Sequence, residues 1–127
     1  MLLLYIALAG ALGSVCRHLA GNAIFKVTAP HSAIPFGTFA VNVLGSFAIG
    51  AVIAYAAARG ELDTRTRVAI TTGFLGGFTT YSAFAYETIS LIETQRVVTA
   101  ALYVGLTFVT AVVGCFAGVL LGRAIAG

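Results

Sequence analysis

Four apolar runs separated by short polar stretches organise this chain: residues 2–25, 36–58, 68–92 and 97–125. A helix needs about 20 mostly apolar residues to cross the hydrocarbon core of a bilayer, and each run meets that length. The pattern predicts an all-α integral membrane protein with four transmembrane helices per protomer, in one domain covering residues 1–127. The connecting stretches are too short for a soluble domain, a nucleotide-binding fold or a long linker.

The third run is interrupted. Residues 71–82, TTGFLGGFTTYS, crowd glycines and hydroxyls into the middle of a segment otherwise apolar enough to span. An unpaired N–H or C=O in hydrocarbon costs several kcal/mol, so non-helical backbone at that depth survives only where protein, water or an ion takes up the freed groups. The stretch predicts a third helix broken near its middle, and an ion site at the break.

Composition agrees with the spans: 60% hydrophobic and 9% charged residues, 15 glycines and a mean hydropathy of +1.03. The first run is not read as a secretory signal, because it lacks a positively charged start and continues too far. Cys16 and Cys115 both fall inside runs, where a thiol is a small packing residue, and their spacing suggests neither a metal nor a redox site. Small residues recur at helix-contact spacing (Gly10, Gly13 and Ser14; Gly114, Gly118 and Gly122), which lets backbones approach closely in lipid.

Loop charge normally sets orientation, since Lys and Arg collect on the cytoplasmic side. Here Arg59, Arg65, Arg67 and Arg123 share one side while Lys26 and Arg96 lie on the other, joined by Arg17 if it leans outward; Glu61 and Asp63 dilute the loop arginines. That near balance leaves two readings open, insertion in both orientations or both termini inside. Four helices are also too few to enclose a selective pore with packed walls, which predicts an oligomer.

Polar residues inside the runs are the candidate chemistry, because charge at membrane depth must face protein, water or a partner. Arg17 and Glu87 could serve directly or snorkel to the interface; Thr107 and Thr110 could serve directly or bond back to their own helix. Asn42 stands apart, since its amide neither snorkels far nor satisfies both donors on its own helix, and Gly37, Thr38, Gly45 and Ser46 line the same segment. Phe74, Phe78, Tyr81 and Phe84 cluster at the interruption, where ring edges carry positive potential suited to an anion. N–H donors where a helix restarts also suit a small anion. Carbonyls left by the preceding half-helix suit a hard cation instead.

These residues carry a resemblance. GTFAVNVLGSF at 37–47 followed by GFLGGFTTYSAF at 73–84, with Gly10, Gly13 and Arg17 in the first run, resembles the CrcB/Fluc family of fluoride channels over essentially the full chain. The resemblance implies a dual-topology, antiparallel homodimer in the bacterial plasma (inner) membrane, exporting fluoride passively from the cytoplasm through two pores along the dimer interface. It further implies a structural sodium ion held by the backbone carbonyls of Gly76 and Thr79 from both copies. The fluoride pathway would use Asn42, Tyr81, Ser82, Phe84, Glu87, Tyr103 and Thr107, with Arg17 as structural support. The implied partners are fluoride, a second copy and membrane lipid, with no nucleic acid.

Three positions depart from the family pattern: Tyr81 replaces the first phenylalanine of an aromatic pair, Ala83 replaces a threonine, and Ala111 lacks a hydroxyl often found there. They raise the alternative of a pair of unlike subunits. The competing class is a small dual-topology, proton-coupled multidrug exporter, which needs a carboxylate in the first helix with tryptophan nearby. This chain has neither. A purely structural membrane subunit explains glycine content and hydropathy but not the interrupted third run. An enzyme is not expected, for no nucleophile and base pair, metal-ligand cluster or phosphate loop is present.

Overall fold

The computed structural model describes residues 1–60 and 62–127, and all regular structure among them is helical. In chain order the elements are α1 (Leu2–Thr28), α2 (Phe36–Arg59), α3 (Thr64–Val68), a π-helical segment (Ala69–Leu75), α4 (Gly76–Phe78), α5 (Tyr81–Glu93) and α6 (Val97–Ala126). Three of these, α1, α2 and α6, are individually long and apolar enough to cross a membrane. The fourth span is composite, a leg over 64–78 and a second leg in α5, with Thr79 and Thr80 extended between them.

The expected break is therefore present, but it is narrower than the sequence pattern suggested. Gly73, Gly76 and Gly77 stay helical; only Thr79 (φ −87, ψ 158) and Thr80 (φ −150, ψ 118) leave the helix. The glycines serve contact instead. A Cβ on Gly77 would run into the Gly10 carbonyl, and one on Gly13 into the Phe74 carbonyl, so α1 and the first leg touch backbone to backbone. Lipid gives helices no hydrophobic reason to associate, and close packing of small residues supplies the attraction.

The same device joins α2 to α6, the most extensive contact in the molecule. Gly50, Gly118 and Gly122 lie against the carbonyls of Cys115, Phe47 and Ala51, with no room for a side chain. Gly37 does likewise against Gly21 of α1.

Boundaries differ from the sequence expectation at two places. α1 runs on to Thr28, bringing Lys26 into its last turn. The third span starts early because Asp63 caps it, its carboxylate accepting the N–H groups of Arg65 (2.9 Å) and Thr66 (3.2 Å). The chain enters that loop through Gly60, whose left-handed φ of 64 closes α2.

Most large apolar side chains point outward, including Leu8, Leu19, Val98, Val109 and Phe116. Lipid, not water, accepts such a surface. The buried cluster of Leu91, Ala100 and Tyr103, flanked by Ile34, Phe39 and Phe84, ties α5 and α6 to the start of α2.

Candidate ion-binding site

The break lies against Asn42 of α2. The Thr80 N–H donates to Asn42 Oδ1 (2.8 Å), and Asn42 Nδ2 donates to the Thr80 carbonyl (2.9 Å), so the side chain replaces the partners the helix has lost. Ser46 Oγ donates to the Asn42 carbonyl one turn on (2.7 Å). Thr80 also caps α5, its Oγ1 accepting from the Ala83 N–H (3.2 Å). In an unbroken helix the Thr80 N–H would serve the Gly76 carbonyl; turned toward Asn42, it leaves that carbonyl without its helical donor.

Arg17 reaches the same place from α1. Its Nη1 donates to the Thr79 carbonyl (3.2 Å), a contact at the break. Glu87 is equally committed: Oε1 accepts from Thr38 Oγ1 (2.6 Å) and Oε2 from Tyr103 Oη (2.7 Å). Tyr103 is completely buried. Phe84 packs on it with centroids 5.1 Å apart and planes inclined at 55°, and on Tyr81 at 5.7 Å and 46°.

Two grooves flank the break. The first, of about 560 Å³, collects Asn42, Gly76, Thr79, Tyr81, Phe84 and Thr107. The second, of about 700 Å³, is more polar in its lining and collects Arg17, Ser82 and Glu87 with Thr38 and His18. Thr80 borders both. The sequence-nominated residues thus divide: Asn42 and Ser82 face different grooves, and Tyr103 lines neither, standing behind Phe84 as the support of Glu87.

The two helical threonines part company. Thr110 Oγ1 donates to the Leu106 carbonyl of its own helix (2.5 Å). Thr107 is 7% exposed and its Oγ1 has no partner among the described residues. A buried hydroxyl left unpaired costs about 1–3 kcal/mol, so its position on the first groove needs a reason.

Thr38 and Thr80 contribute more than sequence reasoning gave them, which named Thr38 only as lining the segment of Asn42 and Thr80 only within the 71–82 stretch. A signal for Thr80 was present, since a threonine three residues before the Ala83 amide is an N-cap pattern. Thr38 carries no such local signal, because its partner lies 49 residues away.

The first groove has no charged residue in its lining among the described residues. In its lining Asn42 keeps one N–H in reserve, Thr107 a hydroxyl without a partner among the described residues, and Phe84 an aromatic ring. Fold and site together define a small multi-pass membrane protein built around a broken helix. Residues 4–119 match the family described as CrcB-like protein, Camphor Resistance (CrcB), and the chain belongs to that family.

Relatives align end to end. A protein of Caulobacter vibrioides (strain NA1000 / CB15N) named Fluoride-specific ion channel FluC is 40% identical over 124 residues, 97% of this chain and 96% of its own. One of the same name from Allorhizobium ampelinum is 40% identical over 120 residues, 94% of each. Another, from Geobacter sp. (strain M21), is 37% identical over 123 residues, 97% of this chain and 98% of its own.

Proposed function

We propose that this chain is a fluoride channel of the bacterial plasma (inner) membrane, not an enzyme, and that it lets fluoride leave the cytoplasm passively and so lowers its toxicity. The observation that carries the reading is the first groove, whose lining holds both Thr107, with its Oγ1 buried without a partner among the described residues, and Asn42, with one N–H in reserve. The names of the full-length relatives point the same way.

Fluoride is small and strongly hydrated, so a pathway must offer close-set donors as its water is removed. The Asn42 N–H and the Thr107 hydroxyl supply two donors to the lining of one groove, and the ring of Phe84 supplies positive potential at its edge without letting the passage flood. Ser82 and Glu87, with its Thr38 and Tyr103 partners, line the polar approach. Tyr81 adds a hydroxyl to the ring that the family pattern would place there.

A second, antiparallel copy completes the reading. Extended backbone at membrane depth must be covered by protein or water, whereas in one chain Thr79 and Thr80 border open grooves. Tyr81, Tyr86 and Phe108 beside them are 82%, 76% and 70% exposed. A partner copy would cover this face, and the near-balanced loop charges favour insertion both ways up. Because Asn42, Phe84 and Thr107 are all kept in this chain, two identical copies suffice and unlike subunits are not required.

The sodium ion implied by the resemblance fits in part. The Gly76 carbonyl has lost its helical donor, while the Thr79 carbonyl already accepts from Arg17 and has one lone pair left. Two copies would present four such oxygens, and a cation there would offset the repulsion of anions held in a low dielectric.

The proton-coupled carrier gains nothing from the geometry. Its carboxylate must exchange protons with substrate, and Glu87, the acid in the middle of α5, has both oxygens held by hydroxyls. The reading is tested by loading liposomes with potassium fluoride or chloride, adding valinomycin and following efflux with ion-selective electrodes. Fluoride release with chloride retained is expected. Retention of both ions by correctly inserted protein would refute the reading, and a proton-driven cationic dye flux would replace it with the carrier.

A further inference from the structure

We infer that Asn42 and Thr80 form a reciprocal splint: the Thr80 peptide leaves the Asn42 carboxamide one N–H and only one for an anion, while the carboxamide holds the break open within a single chain. The anion half of this rests on the channel reading above; the backbone half does not.

The donor count comes first. An asparagine side chain has two N–H donors and one carbonyl acceptor. Oδ1 is spent on the Thr80 N–H at 2.8 Å and one Nδ2 proton on the Thr80 carbonyl at 2.9 Å. Turning the amide over would set donor against donor and acceptor against acceptor, so the backbone of Thr80 dictates the orientation. One N–H remains, and Asn42 lines the first groove but not the second.

The backbone follows from the same pair of bonds. In an extended residue the N–H and C=O project to one side, as in a strand exchanging both bonds with its neighbour. In a helix they project oppositely along the axis, where one carboxamide cannot meet both. Thr80, at φ −150 and ψ 118, is extended. Asn42 thus acts as a one-residue strand edge, and its two bonds exist only while the helix is broken. Gly45, one turn further along α2, has no room for a Cβ against the Thr79 methyl, which lets the break lie this close. Both bonds are made within one chain.

The test uses the full-length ¹⁵N-labelled protein in lipid nanodiscs with sodium fluoride as the probe. Titration is expected to move one of the two Asn42 Nδ2 proton resonances and leave the other in place. Thr80 amide exchange is expected to be at least tenfold faster in Asn42→Ala, and within twofold of the parent in Phe84→Ile even as that variant loses flux. Equal movement of both Nδ2 protons, or unchanged Thr80 exchange in Asn42→Ala, would overturn the splint. The titration needs no substitution, so it decides the donor count even where Asn42→Ala misfolds. If neither proton moves while the parent still releases fluoride from liposomes, the anion half falls and the channel reading stands; if efflux is absent as well, both fall; in either case Thr80 protection that is lost in Asn42→Ala keeps the backbone half.

Discussion

Replacing Thr107 by valine should separate stability from conduction in opposite directions. The two side chains are nearly isosteric, so the change removes the hydroxyl and little else. In the isolated chain that hydroxyl is buried with no partner, and an unpaired buried hydroxyl costs about 1–3 kcal/mol. Thr107→Val should therefore raise the unfolding free energy by about 1 kcal/mol, the low end of that cost because a fluctuating hydroxyl recovers part of it. A hydrogen bond to an ion contributes about 1.5–3 kcal/mol, and each 1.36 kcal/mol at the limiting step is about tenfold in rate. Fluoride efflux should then fall by about 10- to 100-fold, provided the hydroxyl meets the ion at the highest barrier. Denaturant unfolding in detergent and efflux from liposomes read the two quantities on one preparation. Valine that lowers stability while leaving flux at the parent level would refute the assignment of Thr107 to the pathway.

Other substitutions test the remaining parts. Asn42→Asp should abolish most fluoride flux, since its second oxygen would face the Thr80 carbonyl and present charge where a donor is needed; parent-level efflux would remove Asn42 from the pathway. Phe84→Ile should lower flux more than Tyr81→Phe, because Phe84 is wedged between Tyr81 and Tyr103 whereas Tyr81 is mostly exposed in one chain; the reverse order in the same efflux assay would exchange their roles. Gly118→Ala should cost about 1–3 kcal/mol by overpacking against the Phe47 carbonyl, while Gly105→Ala, with open space around it, should be tolerated; thermal unfolding distinguishes them. The Thr66 hydroxyl, then the Thr66 and Arg65 backbone N–H groups, hold the Asp63 carboxyl below its ordinary value of 3.8. A depressed folded value gives stability that is present above the ordinary value and lost as pH falls through the folded one. The protection of the Arg65 and Thr66 amides, taken relative to their intrinsic exchange rates at each pH, should thus be steady from neutral pH down to about 4, the ordinary aspartate range, and fall below it in a way that Asp63→Asn lacks.

The spans were legible because their length and apolarity owe nothing to tertiary contact. The break was legible in kind but not in place. Glycine and threonine were read together as a loosened stretch, yet Gly73 and Gly77 remain helical, packed against Ile6, Ala9 and Gly10 of α1. Only the two threonines opposite Asn42 leave the helix, a choice made by a side chain 38 residues away. Arg17 and Glu87 were ambiguous for the same reason: whether a charge snorkels depends on the partner it finds inside. Thr107 and Thr110 look alike in the sequence, and only their different faces on α6 make one self-satisfied and the other free.

The length of α6 has a consequence for where this protein can work. Thirty residues at about 1.5 Å each make a rod of about 45 Å, against a hydrocarbon core of about 30 Å. The rod must lean or protrude, and because Gly118 and Gly122 lock it to α2, any lean carries the Asn42 side of the first groove with it. Bilayer thickness is thereby expected to act on the groove, and efflux from liposomes of different acyl-chain length would read it without touching a residue.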